Sequence, residues 1–159
     1  MGITKAGIFG KLGLGCGDHI LVHFDAPPYV TQVSRSELLR QSDVVVLHCP
    51  LNGNTRGMID AAALRTMKPT AILINAARGP VVVEEDLVDA LERGTIAGAA
   101  VDVLNVEPPL PPDTPLLNAR NTLLTPHVAF ATQESMTLRA EIVFDNLRAW
   151  LEGKPKNVV

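Results

Sequence analysis

The chain has 159 residues, 47% hydrophobic and 19% charged, with a formal net charge of −3. That length suits one ordinary domain burying about two thirds of its unfolded surface, and the composition excludes a disordered chain. The mild negative charge, with no local Lys/Arg cluster against it, excludes a general electrostatic footprint for nucleic acid.

The elements follow in chain order. A glycine-rich opening, with Gly2, Gly7, Gly10, Gly13, Gly15 and Gly17, precedes a short apolar run at Ile20-Leu21-Val22. That run reads as a strand ended by Asp25 and the Pro27-Pro28 breaker. Ser34 followed by Glu37 is a capping-box signature that opens a short helix through Leu38 and Leu39. Val44 to Leu47 is a continuous apolar run of the kind found in a parallel strand buried on both faces. Asp60 caps a helix over Ala61 to Met67, which Pro69 ends, and Ala71 to Ile74 is the next strand.

Glu84 to Arg93 carries acids in its first turn, a base in its last and Gly94 as a stop, the polarity a helix macrodipole favours. Ala97 to Val103 is a buried strand broken by the proline-rich stretch from Pro108 to Pro115, and Thr122 to Leu124 is the last strand. From Thr132 a long helix runs to about Glu152, with Met136, Ala140, Val143, Leu147 and Trp150 at helical spacing, ended by Gly153 and Pro155. Strands alternating with helices over short connections predict an α/β fold, a doubly wound parallel sheet. No repeat or linker divides residues 1–159, so a single domain is expected, with residues 1–18 irregular or truncated.

Two cysteines, Cys16 and Cys49, form no CxxC pair, so neither a disulfide framework nor a zinc site is expected and a reducing cytoplasm is the expected setting. No apolar run reaches the roughly 18 residues of a membrane span. The N-terminal MGITKAGIFGKLG lacks the apolar core and cleavage site of a signal peptide. His19 and His23 would stand more than about 12 Å apart along a strand, and no third ligand is evident, so no metal is assigned.

In an open α/β sheet, ligands sit outside the carboxyl ends of the strands. The residues there are Asp25, then His48-Cys49-Pro50, Asn75 through Gly79, Asp102, and Pro126-His127. Their surroundings read HCPLNGNTRGMI (48–59), MKPTAILINAARGPVVVEEDLVDAL (67–91), GAAVDVLNVEPP (98–109) and NTLLTPHVAFAT (121–132). Four motifs in this order resemble the nucleotide-binding domain of D-isomer-specific 2-hydroxyacid dehydrogenases, particularly the glycerate and hydroxypyruvate reductases. The resemblance covers residues 19 to 159.

It implies a Rossmann-like domain that binds NAD and a reaction interconverting a small 2-oxo acid and its D-2-hydroxy acid. Arg78 would grip the substrate carboxylate, since a forked, permanent cation suits two-point recognition. His127 would hold the proton that the carbonyl oxygen needs, and Glu107 would stabilise and orient the imidazolium. Around the cofactor the resemblance places Cys49, Pro50 and Thr55 in the loop on the adenosine side, Ala76 beneath the nicotinamide and Asp102 at its carboxamide. Asp25 would receive the ribose hydroxyls, an acid that favours NAD over NADP. A homodimer is expected, with no nucleic-acid or membrane partner.

Two departures stand out. The spacing G-x-G-x-x-G, which brings backbone close to a pyrophosphate at a helix N-terminus, is absent. One alignment makes Ala6 to Gly10 the first strand and turn, with Leu12 and Gly15 at the later glycine positions. The other, preferred on spacing, makes Gly2 the last glycine and residues 3 to 13 the helix, leaving the N-terminal βα unit incomplete. The second departure is the absence of a substrate domain, so turnover by this chain alone is not expected. The alternative reading is a non-catalytic, dinucleotide-sensing or scaffold protein derived from the same family.

Overall fold

The computed structural model describes the backbone of residues 6–10, together with residues 33–106 and 109–158. Five strands among them form one sheet, every neighbouring pair parallel: β1 (Ala6–Gly10), β2 (Val44–His48), β3 (Ile72–Asn75), β4 (Gly98–Val101) and β5 (Thr122–Leu124), in that spatial order. Helices α1 (Arg35–Gln41), α2 (Ala61–Thr66), α3 (Glu84–Glu92) and α4 (Gln133–Leu151) alternate with them. This is the α/β parallel sheet that the alternation predicts, in the Rossmann-like form that the resemblance implies.

The strand at Ala6–Gly10 overturns the preferred alignment of the N-terminus. Ala6 to Gly10 lie in register with Val44 to His48, so these five residues are strand and not helix. Pairing along a neighbouring β2 rich in β-branched residues outweighs the weak helical spacing of Ala6, Ile8 and Phe9. Gly10 therefore closes a strand, where the first alignment places the leading glycine of the phosphate loop. The strand expected at Ile20–Val22 lies outside the described residues.

The remaining elements keep their sequence boundaries within a residue or two. Ser34 Oγ accepts from Glu37 N at 3.3 Å and starts α1, while Asp60 Oδ1 accepts from Ala63 N at 2.8 Å and starts α2. Helix α3 stops where Gly94 adopts φ +67°, with Thr95 N donating to Ala90 O and Gly94 N to Leu91 O, the paired bonds of a Schellman cap. Asp86 on α3 reaches back to the start of α2, accepting from Ala61 N at 2.7 Å.

The core is built from the inward positions of the sheet and the helices beside it. Val45, Leu47 and Leu73 are fully buried, and Leu64, Leu87, Leu91 and Ile96 close over them. Strand β2 is less enclosed than expected: Val45 and Leu47 are buried, but Val44 and Val46 only half-buried. Residues Met1–Pro126 and His127–Val159 form two compact units. In the second, α4 has the caps the sequence predicts, yet none of its residues is buried and Met136, Val143, Leu147 and Trp150 are exposed.

Candidate functional site at the strand carboxyl ends

Strand register sets the site. Leu47, Asn75, Val101 and Leu124 are successive partners across β2 to β5. The ladder continues one step further, with Asp102 N donating to Asn75 O at 2.9 Å and Thr125 N to Val101 O at 3.1 Å. The residues that follow these strands are thereby brought side by side: His48 and Cys49, Ala76, Asp102 and Thr125. Cys49 is buried as a thiol, Ala76 is half-buried, and His48 and Pro50 are exposed. Asp102 is buried and accepts a hydrogen bond from the Thr125 hydroxyl.

Arg78 stands on a turn that its own strand organises. Asn75, 1% exposed, accepts from Ala77 N through Oδ1 at 3.1 Å and donates from Nδ2 to Arg78 O at 3.1 Å. Both ends of the amide are used, as a buried polar side chain requires. The next residue, Gly79, opens a short 3-10 turn (Gly79–Val81) beneath the chain that leaves β4. A Cβ there would stand 2.1 Å from the carbonyl oxygen of Leu104, a contact no side chain could make. Arg78 itself is exposed, with Nη1 donating to Ala77 O at 2.6 Å. An anchored backbone carrying an exposed guanidinium is suited to gripping an anion.

The loop after β2 is equally constrained. Thr55, 2% exposed, donates to Pro50 O at 2.6 Å and accepts from Asn52 N at 2.9 Å. Asn52 Oδ1 accepts from Asn54 N and Thr55 N. The Thr55 hydroxyl is thus committed to shaping its own loop. That loop is stitched to the Arg78 turn by Gly57 N to Pro80 O at 2.8 Å, Ile59 N to Val81 O at 3.2 Å and Val83 N to Ile59 O at 2.9 Å.

His127 opens the second unit. It is half-buried, its φ is +56°, and its ring meets that of Phe130 edge to face. Glu107 and Asp25 lie outside the described residues. Asn75 stands among the strand-end residues in the sequence without an assigned role; the signal for its role as a clamp is a lone amide closing an apolar strand just before a turn that must hold an arginine.

Residues 21–129 match the family described as D-isomer specific 2-hydroxyacid dehydrogenase, NAD binding domain. The chain belongs to this family. Among curated relatives of the 2-hydroxyacid dehydrogenase type, a hydroxypyruvate reductase from Blautia hydrogenotrophica is 46% identical over 127 residues, 80% of this chain and 39% of that protein. A glycerate dehydrogenase from Methylorubrum extorquens is 46% identical over 139 residues, 86% of this chain and 44% of that protein. The NAD-complexed D-isomer specific 2-hydroxyacid dehydrogenase of Lactobacillus delbrueckii superposes with a TM-score of 0.74 at 32% identity, over 83% of this chain and 44% of that one. The chain therefore spans about two fifths of the length of the dehydrogenases it matches. Among the described residues no helix is long and apolar enough to cross a membrane, and no three His, Cys, Asp or Glu side chains group as metal ligands.

Proposed function

We propose that this chain is the cofactor-binding half of an enzyme that interconverts a small 2-oxo acid and its D-2-hydroxy acid, and that it does not turn over alone. The observation that carries the reading is the row formed by Cys49, Ala76, Asp102 and Thr125 at adjoining strand ends, with Arg78 presented from an anchored turn beside it. These residues fit the nicotinamide end of NAD: Ala76 leaves a low floor for a flat ring, and Asp102 offers a carboxylate at its rim. NAD supplies hydride when bound. Cys49, Pro50 and the loop braced by Thr55 would line the adenosine side, and Asp25 would take the ribose hydroxyls.

Arg78 would bind the substrate carboxylate in two places. His127 would give a proton to the carbonyl oxygen in reduction and take it back in oxidation, with Glu107 as its partner. The other wall of the cleft, which excludes water and fixes the substrate, would come from the three fifths of the relatives' length that this chain does not span. The reading extends to a homodimer in a reducing cytoplasm.

The test is NADH oxidation with hydroxypyruvate and glyoxylate. The chain alone is expected to give none. A chimera in which it replaces the matching domain of the Blautia hydroxypyruvate reductase is expected to turn over, with Arg78→Gln and His127→Ala each abolishing activity. A second reading, a dinucleotide-sensing or scaffold protein, is favoured by the altered glycine spacing at Gly10, Gly13 and Gly15. It predicts no turnover in the chimera, and the altered spacing, which loosens the pyrophosphate cradle, predicts weakened NAD binding by calorimetry.

A further inference from the structure

We infer that Phe130 is a positioning residue for His127, and that Arg139 holds Phe130 in that role; the catalytic meaning of this rests on the reading of His127 as the acid/base. The His127 and Phe130 ring centroids are 6.1 Å apart with planes at 88°, an edge-to-face pair of the geometry that aromatic quadrupoles prefer. The guanidinium of Arg139, one and a half turns into α4, lies 5.4 Å from the centre of the Phe130 ring, within cation–π range. The Phe130 ring thus meets both the imidazole and the guanidinium.

The backbone beneath them is fixed at both ends. His127 adopts φ +56°, a region that histidine enters more readily than most residues but that a chain holds only where its surroundings demand it. The turn that follows is closed by Ala131 N donating to Val128 O at 2.9 Å. It is then fastened to the N-terminus of α4, where Ser135 Oγ donates to Phe130 O at 2.5 Å and Thr132 and Ser135 exchange the two bonds of a capping box. The cap places Phe130, Arg139 steadies its ring, and the ring limits the rotation of the imidazole. A proton donor must meet its target along one direction, so a ring held to one rotamer is pre-aligned for transfer.

The experiment is heteronuclear NMR on the full chain, reading the His127 side-chain rotamer from ring NOEs and scalar couplings. Wild type is expected to show one rotamer and His127–Phe130 ring NOEs. Phe130→Leu is expected to average the rotamer, Phe130→Trp to restore it, and Arg139→Met to weaken the NOEs where Arg139→Lys retains them. Circular dichroism checks that α4 persists in each, and Arg139→Met, on an exposed helix position, serves where a Phe130 variant fails to fold. An unchanged His127 rotamer in both Phe130→Leu and Arg139→Met would overturn the proposal. Because this readout needs no turnover, it is separate from the chimera assay: loss of alignment with an inactive chimera condemns the functional reading alone.

Discussion

The sheet and helix α4 are built by the same local rules and end in opposite environments. In the sheet, Val45, Leu47 and Leu73 are sealed from solvent; along α4, every one of nineteen residues is exposed or half-exposed although the apolar stripe is as regular. Caps and periodicity therefore suffice to write a helix, but burial of its stripe needs a second surface. A matched pair of substitutions sharpens the contrast. Leu73→Ala, at a fully buried centre, is expected to cost about 3–5 kcal/mol, from lost transfer energy and the cavity left behind. Leu147→Ala, at an exposed position, is expected to cost no more than about 0.5 kcal/mol. Urea unfolding of the two variants reads both. A loss of several kcal/mol at Leu147 would mean that α4 has a buried face in solution.

Within the first unit, the turn that presents Arg78 should break next most easily. In Gly79→Ala the added methyl would enter the Leu104 carbonyl, and backbone cannot step aside as a flexible side chain can. The expected cost is roughly 1–3 kcal/mol, as for overpacking a filled site. The same variant should displace Arg78 and weaken carboxylate binding in the chimera more than it weakens NADH binding. Equal losses of the two would show that the turn serves only the fold.

Legibility in the sequence tracked this division. Helix starts were readable because capping is written in adjacent residues: Ser34 and Asp60 cap α1 and α2 as predicted, and α4 begins at Thr132, where the apolar spacing places it. Strand β2 was readable from its β-branched run, and β3 and β4 from short apolar runs bounded by turn residues. The N-terminus was misread because Ala6 to Gly10 owe their conformation to partners almost forty residues away in β2, which local spacing does not report. Of the site, the strand ends were legible through their ordered motifs. The internal use of Thr55 and the clamp made by Asn75 were not, since both depend on which backbone groups a folded turn brings within reach.

Helix α4 offers the next test, smaller because it concerns one cap. Thr132→Ala removes the acceptor for Ser135 N and disturbs the reciprocal bond from Thr132 N to Ser135 Oγ. A loss of about 1 kcal/mol is expected, seen as fraying of the first turn by hydrogen exchange, while the sheet amides keep their protection. Spread of the loss into β2 and β3 would show that the two regions unfold together.

The smallest effect belongs to the far end of α4, where the chain reverses at Gly153 and returns along the helix. Lys156 Nζ donates to Asp145 Oδ2 at 2.6 Å, and Asn157 Nδ2 to Asn146 Oδ1 at 2.8 Å. The hydrogen bond from Lys156, then its charge, hold the Asp145 carboxyl below the usual range, with Arg148 adding to the pull. A carboxyl whose folded pKa is depressed contributes stability above its unfolded pKa, and that contribution is lost as pH falls through the folded value. The fastening of the tail should therefore be complete at neutral pH and disappear in acid. Both partners are half-exposed, so salt should weaken it too. In Lys156→Gln, helix-end protection at neutral pH should match that of wild type in acid. Equal protection in the two proteins at neutral pH would assign the reversal to the Schellman bonds from Gly153 N to Trp150 O and Lys154 N to Ala149 O, with the ion pair merely riding on them.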